Sequence, residues 1–278
     1  MEDLSTLCNA AELFHSDSRI LPCDISLNKW IGMVNSTPEL QALVSRHFDH
    51  FASCEPVALP GHVCDGTGGF AGLVASRRTR YDLSGGPLSL EDLGFVLSAA
   101  AGVTGRITGP DGVMRSLRSA PSGGALYPVD TYALVRSVAG LPENATVFYD
   151  SGRHLVRVLP AGADFDLLAR ATRLPGQCAQ LSACVVFVAV LQRSHFKYGD
   201  RSYRFALLEA GHMCQNLLLA AEALGLNAVP VGGFVDDAVN GLLLLDGVDE
   251  AALYLVMIGG RREAAAPAVG GKADQGGD

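Results

Sequence analysis

The clearest helix of the sequence is the stretch YRFALLEAGHMCQNLLLAAEAL, residues 203–224, and Gly225 follows it directly. A glycine just past the last apolar position is a common helix end. At about 1.5 Å per residue this helix is about 33 Å long. Its second half is apolar on every side, which predicts a helix buried in the core of the molecule.

Strands are predicted on both sides of this helix. Residues 184–191 form a continuous apolar and β-branched run, which is typical of a buried central strand. Residues 131–135 and 253–258 are further strand candidates, and residues 146–158 indicate a hairpin that turns at residues 150–152.

A second helix is predicted upstream of these strands. Ser89 can cap its first turn, Asp92 lies three residues later, and apolar positions continue to an end near Gly102. Helices and strands in this mixture predict an α+β fold, a sheet with helices packed over it.

Composition and charge exclude several classes of protein. The 278 residues are 49% hydrophobic, which excludes a disordered chain. Lys+Arg 21 against Asp+Glu 29 gives a net charge of −8, which argues against a generic binder of nucleic acid or of an anionic membrane. We expect no signal peptide, because residues 1–10 have neither a basic start nor an apolar segment, and the longest apolar stretch, residues 181–191, is far shorter than the roughly 20 residues of a spanning helix. Seven cysteines with scattered spacing indicate a reducing compartment, so we expect a cytoplasmic protein.

The patterns divide the chain into three regions. Residues 1–70 are weakly periodic and are interrupted by prolines, so they are predicted to be an N-terminal extension. Residues 71–262 carry all the strong patterns and are predicted to be one domain. Residues 263–278 contain Ala, Gly, Pro and Asp but no large apolar side chain, which predicts a disordered tail.

Two clusters of arginine are unexpected in an acidic protein. They are Arg77-Arg78-Thr79-Arg80 and Arg261-Arg262, the second directly after the last predicted strand. A guanidinium group pairs bidentately with phosphate, so the clusters are candidates for an anion site. The alternative is that they are solvated loop residues.

Two glycine-rich segments could bring bare backbone close to a ligand. The first is RSAPSGGALYP, residues 118–128, directly before a predicted strand, and the second is VPVGGF, residues 229–234. Glycine lets backbone approach a flat ligand and leaves N–H groups free to donate. A tight turn is the structural alternative for each of them.

Lys197 and Tyr198 form a candidate acid/base pair between the central strand and the long helix. An ammonium group beside a phenol stabilises the phenolate, and partial burial favours a neutral amine. The alternative is a solvated loop. On the long helix, Glu209, His212 and Asn216 share a stripe, which indicates a polar seam in a helix contact.

Other chemical motifs are absent from the sequence. The glycine-rich residues 66–72 lack the third glycine of G-x-G-x-x-G, because Ala71 stands there, and there is no Walker A lysine. We expect no metal site, since the histidines and cysteines of one segment match no zinc spacing. They are His47, His50, Cys54, His62 and Cys64.

Together these segments resemble the FMN-dependent azoline oxidases of the nitroreductase superfamily, the SagB/ThcOx type. The dehydrogenase subunits of microcin-type thiazole/oxazole synthetases are the most similar group. Residues 118–128, Lys197-Tyr198 and residues 203–224 carry the resemblance, which covers about residues 70–262. It implies an α+β nitroreductase-like fold with a central mixed sheet covered by helices, an intertwined homodimer and FMN bound between the two copies.

The resemblance also implies roles for individual residues. The phosphate and ribityl ligands would be Arg77, Arg78, Thr79 and Arg80, completed by Arg261 or Arg262. The isoalloxazine ring would be lined by Pro121, Ser122, Gly123 and Gly124 on one side and by Val231, Gly232 and Gly233 on the other, with Gln215 as a further candidate. Lys197 and Tyr198 match the family's catalytic pair.

The activity implied is oxidation of peptide thiazolines or oxazolines to thiazoles or oxazoles in the biosynthesis of a ribosomally made, bacteriocin-type peptide. Tyr198 would take the Cα proton, hydride would leave Cβ for the flavin, and dioxygen would reoxidise the flavin. The implied partners are a YcaO-type cyclodehydratase, an adaptor that binds the leader peptide, and the precursor peptide as substrate.

Two other functions are compatible with parts of the sequence. A general NAD(P)H-dependent flavin nitroreductase or quinone reductase would use the same FMN site, although it would need no base such as Tyr198. A non-catalytic scaffold subunit could keep the fold without flavin, although intact arginine clusters argue against it.

Overall fold

The computed structural model describes residues 10–21, 69–108 and 114–262, together with positions 29, 33 and 36–39. Most of the predicted N-terminal extension, the predicted tail and all five candidate zinc residues lie outside the described residues. Among the described residues, no group of His, Cys, Asp and Glu side chains could hold a metal ion.

Eight α-helices lie in the described part of the chain. They are α1 (Ala10–Ser18), α2 (Phe70–Ser76), α3 (Leu90–Ala101), α4 (Phe165–Thr172), α5 (Pro175–Gln180), α6 (Gln192–Tyr198), α7 (Arg201–Ala223) and α8 (Asp236–Leu243). Within these residues, no helix is both long and apolar enough to cross a membrane.

The strands form a large sheet and a small one. They are β1 (Val103–Thr108), β2 (Met114–Arg118), β3 (Val129–Val135), β4 (Ala145–Asp150), β5 (Leu155–Gly162), β6 (Ala183–Val190), β7 (Leu226–Val231) and β8 (Glu250–Arg261). The six-stranded sheet has the order β5-β4-β3-β6-β8-β7, and β1 pairs with β2 separately.

Neighbouring strands of the large sheet are antiparallel. In the described residues, parallel pairing is limited to two isolated bridges, Ile20 with Val235 and Leu88 with Val138. The predicted sheet with helices packed over it is confirmed, and both parallel bridges lie outside its named strands.

Strand β6 lies in the middle of the sheet, as its apolar run predicts. Successive side chains of a strand point to opposite faces, and both faces of β6 are buried. Val185 and Phe187 join a core cluster with residues of α3 and α7, whereas Val186 and Val188 join a second cluster with residues of α4 and α8. The molecule therefore has three layers, with helices on each side of the sheet.

The predicted helix ends are confirmed. The Oγ of Ser89 accepts a hydrogen bond from the backbone N–H of Asp92 at 2.9 Å, which caps α3. Helix α3 ends at Ala101, and α7 ends at Ala223 with Gly225 at φ +69° just beyond. The second half of α7 is buried, as predicted from its apolar composition.

Two local predictions differ from the structure. The segment before α7 is the helix α6 rather than a loop, and Gly199 at φ +53° makes the turn between the two helices. On α7, Glu209 is buried and the Asn216 side chain donates to the Ser119 carbonyl at 3.4 Å, whereas His212 is exposed. The polar seam therefore excludes His212, which lies at the exposed edge of the helix.

Candidate functional site

Lys197 and Tyr198 meet the glycine-rich segment at Gly124. A Cβ atom at Gly124 would lie 2.5 Å from Tyr198 Oη and 2.9 Å from Lys197 Nζ. Only glycine leaves room there, and its φ of +65° also favours glycine. The Lys197 Nζ lies 5.1 Å from the centre of the Tyr198 ring. Two features that are 73 residues or more apart in sequence are thus brought into one cluster by the fold.

The segment between Ser122 and Pro128 is held in an unusual backbone conformation. Ala125 and Tyr127 have φ values of 54° and 50°, a region that costs a non-glycine residue about 1–3 kcal/mol. The Tyr127 N–H donates to Ser122 Oγ at 2.9 Å, and the Arg118 N–H donates to Tyr127 Oη at 2.9 Å. These bonds hold the strained backbone in place next to Tyr198.

Phe205 of α7 supports the cluster, and no sequence pattern predicts this role. Its ring meets the Tyr198 ring edge-on, with centroids 5.1 Å apart and an interplanar angle of 89°. A Cβ atom at Gly123 would lie 3.1 Å from the same ring. Phe205 therefore packs against both the catalytic candidate and the glycine-rich segment, which favours one orientation of the phenol.

Glu209 is a buried acid beneath the glycine-rich segment, with only 2% of its surface exposed. Burial raises the pKa of Glu209 to about 7, against the opposing effects of Ser122, the Val129 N–H and Arg118. The Val129 N–H donates to its Oε1 at 3.4 Å, while its Oε2 has no partner in the described structure.

The raised pKa of Glu209 predicts a specific dependence of stability on pH. Because the folded protein holds this proton more tightly than the unfolded chain, stability should fall as pH rises from about 5 to 8, by on the order of 3 kcal/mol. Denaturant unfolding at several pH values should show that Glu209→Gln removes this contribution.

Glu91→Gln, which changes an exposed acid of α3, is the matched control and should keep the wild-type pH dependence. A Glu209→Gln protein whose stability follows pH as the wild type does would contradict the shift.

The two arginine clusters converge on Glu222, near the end of α7. Arg80 pairs with Glu222 at 2.6 Å and Arg262 pairs with it at 3.0 Å. Burial raises the pKa of this carboxyl, but the two guanidinium groups outweigh burial and hold the pKa below its ordinary value. Arg261 instead pairs with Asp92 at 2.6 Å.

The remaining arginines of the first cluster are differently engaged. Arg78 donates to the carbonyls of Ala75 and Arg77, each at 2.9 Å. The Arg77 side chain has no hydrogen bond or ion pair with any described residue. Burial raises the pKa of the Cys214 thiol to about 12, and the positive charge of Arg77 acts to lower it. Since this effect requires proximity, Arg77 lies close to Cys214 in the middle of α7. Arg77 is the member of the cluster with a guanidinium available to a ligand.

The second glycine-rich segment offers open backbone at the end of β7. Val231 is the last residue of the strand, and Gly232 and Gly233 are exposed. A Cβ atom at Gly233 would meet nothing within 4 Å, and one at Gly232 would lie 3.6 Å from the Tyr254 ring. The exposed backbone of Gly232 and Gly233 could contact the edge of a flat ring, and the Arg77 guanidinium could pair with an anionic group attached to that ring.

The paired arginines lie far from the Lys197–Tyr198 cluster. Phe205, which packs against Tyr198, and Glu222, which pairs with Arg80 and Arg262, are separated by about 25 Å along α7. Arg77 lies nearer, because Cys214, on which its charge acts, is about 14 Å from Phe205 along the same helix. Gln215 and Thr79 are exposed, and neither makes a side-chain contact that assigns it a role.

A cavity of about 590 Å³ opens beside Tyr198. The other side chains that line it are Phe14, Asp200, Arg201, Tyr203, Arg204 and Leu207. One wall is α1, which belongs to the N-terminal region where the sequence patterns were weak. A ligand in this cavity would therefore contact the Tyr198 side chain.

Comparison with known proteins gives the family. The model of the nitroreductase family matches residues 74–260. The chain therefore belongs to the nitroreductase family. It is 31% identical over 192 residues to a protein of Methanocaldococcus jannaschii named as a nitroreductase, a match that spans 69% of this chain and 90% of that protein.

A second relative and a solved structure concern peptide processing. The Escherichia coli microcin B17-processing protein McbC is 30% identical over 152 residues, 51% of this chain and 54% of McbC, so the match spans about half of each protein. The Escherichia coli microcin synthetase McbBCD complex, solved with truncated pro-MccB17 bound, contains a chain with a TM-score of 0.54 and 21% identity. That match covers 80% of this chain and 87% of the other, and it shows a shared fold.

Proposed function

We propose that this protein is an FMN-dependent oxidase that converts thiazolines or oxazolines of a precursor peptide to thiazoles or oxazoles. The observation that carries the proposal is the convergence of Lys197 and Tyr198 on Gly124 in a chain of the nitroreductase family. A reductase that relays hydride from NAD(P)H through flavin has no need of a phenol and an ammonium in this arrangement.

The relatives support peptide processing as the context. McbC is named for the processing of microcin B17, and the McbBCD complex was solved with a truncated precursor bound. We propose by analogy that this chain works on a precursor peptide with a YcaO-type cyclodehydratase and an adaptor that binds the leader peptide.

The residues of the cluster divide the chemistry between them. The azoline must lose a proton from Cα and a hydride from Cβ, and the ring that forms is aromatic. Tyr198 Oη would accept the Cα proton, and the Lys197 ammonium lies 5.1 Å from the centre of the same ring. Phe205 and the strained backbone at Gly124 hold the phenol in position. Bound FMN supplies the two-electron acceptor, and dioxygen is the final oxidant.

Binding of FMN would use the residues that the sequence predicts, in two copies of the chain. Arg77 would hold the phosphate, while Gly232 and Gly233 would offer backbone to the ring edge. As the resemblance to the azoline oxidases implies, the Gly123-Gly124 side of the site would come from a second copy. Leu208, 54% exposed in the middle of α7, lies on a face that a second copy would cover.

Arg77→Ala should weaken FMN binding by about 10- to 100-fold, because a charge-assisted hydrogen bond contributes about 1.5–3 kcal/mol. Titration of the apoprotein followed by quenching of flavin fluorescence would measure the dissociation constant. Arg157→Ala, which removes an exposed arginine paired with Asp150, is the matched control and should bind FMN as the wild type does. Unchanged affinity in the Arg77 variant would remove this residue from the phosphate site.

The proposed activity is tested with the purified, FMN-loaded protein and a synthetic peptide that contains one azoline. Mass spectrometry should show loss of two hydrogens from the peptide, dependent on dioxygen. A protein that holds FMN but leaves every azoline peptide unchanged would contradict the proposal.

A general nitroreductase is the second candidate function. The relative from Methanocaldococcus jannaschii favours it, because the match spans 90% of a protein with that name. This function predicts rapid consumption of NADPH with a nitroaromatic compound, whereas azoline oxidation predicts slow consumption.

A further inference from the structure

The cavity beside Tyr198 has a wall that is firmly attached to the rest of the fold. His15 of α1 is buried, and its Nδ1 lies 2.9 Å from Tyr203 Oη while its Nε2 lies 3.2 Å from the Gly247 carbonyl oxygen. Just after α1, Arg19 pairs with Asp237 at 2.7 Å. Helix α1 is thus fixed, and it presents Phe14 to the cavity.

Two apolar side chains that line the cavity are exposed to solvent. Phe14 is 59% exposed and Leu207 is 40% exposed, and both line the cavity. The Phe14 ring contacts the Tyr203 ring edge-on at 5.8 Å, which fixes its position. Together these side chains form an apolar surface that a ligand can cover.

The charged part of the lining is cationic. Arg201 and Arg204 are exposed, and neither has a hydrogen bond or an ion pair with a described residue. Among the described residues that line the cavity, Asp200 is the one acid. The N-terminal end of a helix carries a partial positive charge, which repels arginine side chains in the first turn. Arg201 and Arg204 therefore do not stabilise the start of α7. Their guanidinium groups are available to an anionic partner.

We propose that this cavity binds the residue adjoining the azoline of the peptide and selects a carboxylate side chain there. The inference rests on the proposed function, because it assumes that the azoline lies against Tyr198. Neighbouring Cα atoms are about 3.8 Å apart, so a residue next to the azoline must then enter the cavity beside Tyr198. Phe14 and Leu207 cover its apolar part, and Arg201 and Arg204 pair with its carboxylate.

Matched azoline peptides test this selectivity. They carry Glu, Gln or Lys directly before or directly after the azoline and are otherwise identical. Two peptides carry Glu, one before and one after the azoline, and the wild-type holoprotein should oxidise one of them faster. The kcat/KM for that peptide should be at least about tenfold above the value for the peptide with Lys at the same position. Arg204→Glu should reverse this order, and Arg204→Gln should abolish it. Arg170→Glu, an exposed charge reversal on α4, should leave the preference unchanged.

The outcomes separate this inference from the proposed function. Oxidation of all the peptides at equal rates by the wild type would overturn the selectivity and leave azoline oxidation standing. If no peptide is oxidised, the proposed activity fails, and binding of the labelled peptides by fluorescence anisotropy then decides the selectivity. Equal affinity for the Glu and Lys peptides would overturn it. The wild-type comparison holds even if the Arg204 variants fail to fold.

Discussion

Tyr198→Phe should slow azoline oxidation by about 10²–10⁴-fold, the usual contribution of a positioned general base. Phenylalanine keeps the ring, so the edge-on contact with Phe205 remains and the fold should be as stable as the wild type. The protein should also remain yellow, because the substitution removes one oxygen and no flavin contact. Oxidation is measured by mass spectrometry of the azoline peptide under dioxygen.

Lys197→Ala should also slow the reaction strongly, because it removes the cation that lies beside the Tyr198 ring. Phe196→Ala, which truncates the exposed neighbouring side chain on α6, is the matched control and should keep wild-type FMN content. Loss of flavin from both the Tyr198 and Lys197 variants would make this pair structural rather than catalytic.

Gly124→Ala should abolish most of the activity while it costs little stability. The new Cβ atom would collide with Tyr198 Oη and Lys197 Nζ, which are the mobile ends of flexible side chains. They can move aside, so the stability cost should be limited to about 1–2 kcal/mol for a non-glycine residue at positive φ. Their displacement removes the base from its working position, and we expect a fall in kcat of at least about 100-fold.

Gly140→Ala provides the control for backbone strain. Gly140 also has a positive φ, +86°, and a Cβ atom there would make only an ordinary contact with Leu90 at 3.8 Å. This variant should lose similar stability and keep its activity. If Gly124→Ala were as active as Gly140→Ala, the proximity of Gly124 to the catalytic pair would have no catalytic meaning.

Local patterns were sufficient to predict most of the fold. The burial of β6 on both faces follows from a continuous apolar run rich in valine, and the α3 cap follows from Ser89 and Asp92 at the right spacing. Both features depend on residues that are close in sequence. The helix α6 was missed because its short sequence, which includes Lys197 and Tyr198, has no clear apolar periodicity.

The site was predictable in its residue types but not in its contacts. The glycine-rich segment and the Lys197–Tyr198 pair were both recognised, whereas their meeting at Gly124 depends on the packing of β3, α6 and α7. Arg80 pairs with an acid 142 residues away, and no local pattern indicates which acid an arginine will meet.

Tertiary contacts explain two features that local sequence patterns do not predict, the raised pKa of Glu209 and the contact of Phe205 with Tyr198. Glu209 lies on a helix with an exposed face, so its removal from water follows only from the tertiary contact with Ser122 and Val129. Phe205 is one of several apolar residues on α7, and its contact with Tyr198 depends on the turn at Gly199.

Anaerobic mixing of the FMN-loaded protein with one azoline peptide separates azoline oxidation from NAD(P)H-dependent reduction. If the protein oxidises azolines, the visible absorbance of oxidised flavin should be lost without any added NAD(P)H, with one azole formed for each flavin reduced. Admission of dioxygen should restore the absorbance, and Tyr198→Phe should show the same change much more slowly. Flavin that stays oxidised in the presence of the peptide, but is rapidly reduced by NADPH, would contradict azoline oxidation and favour a general nitroreductase.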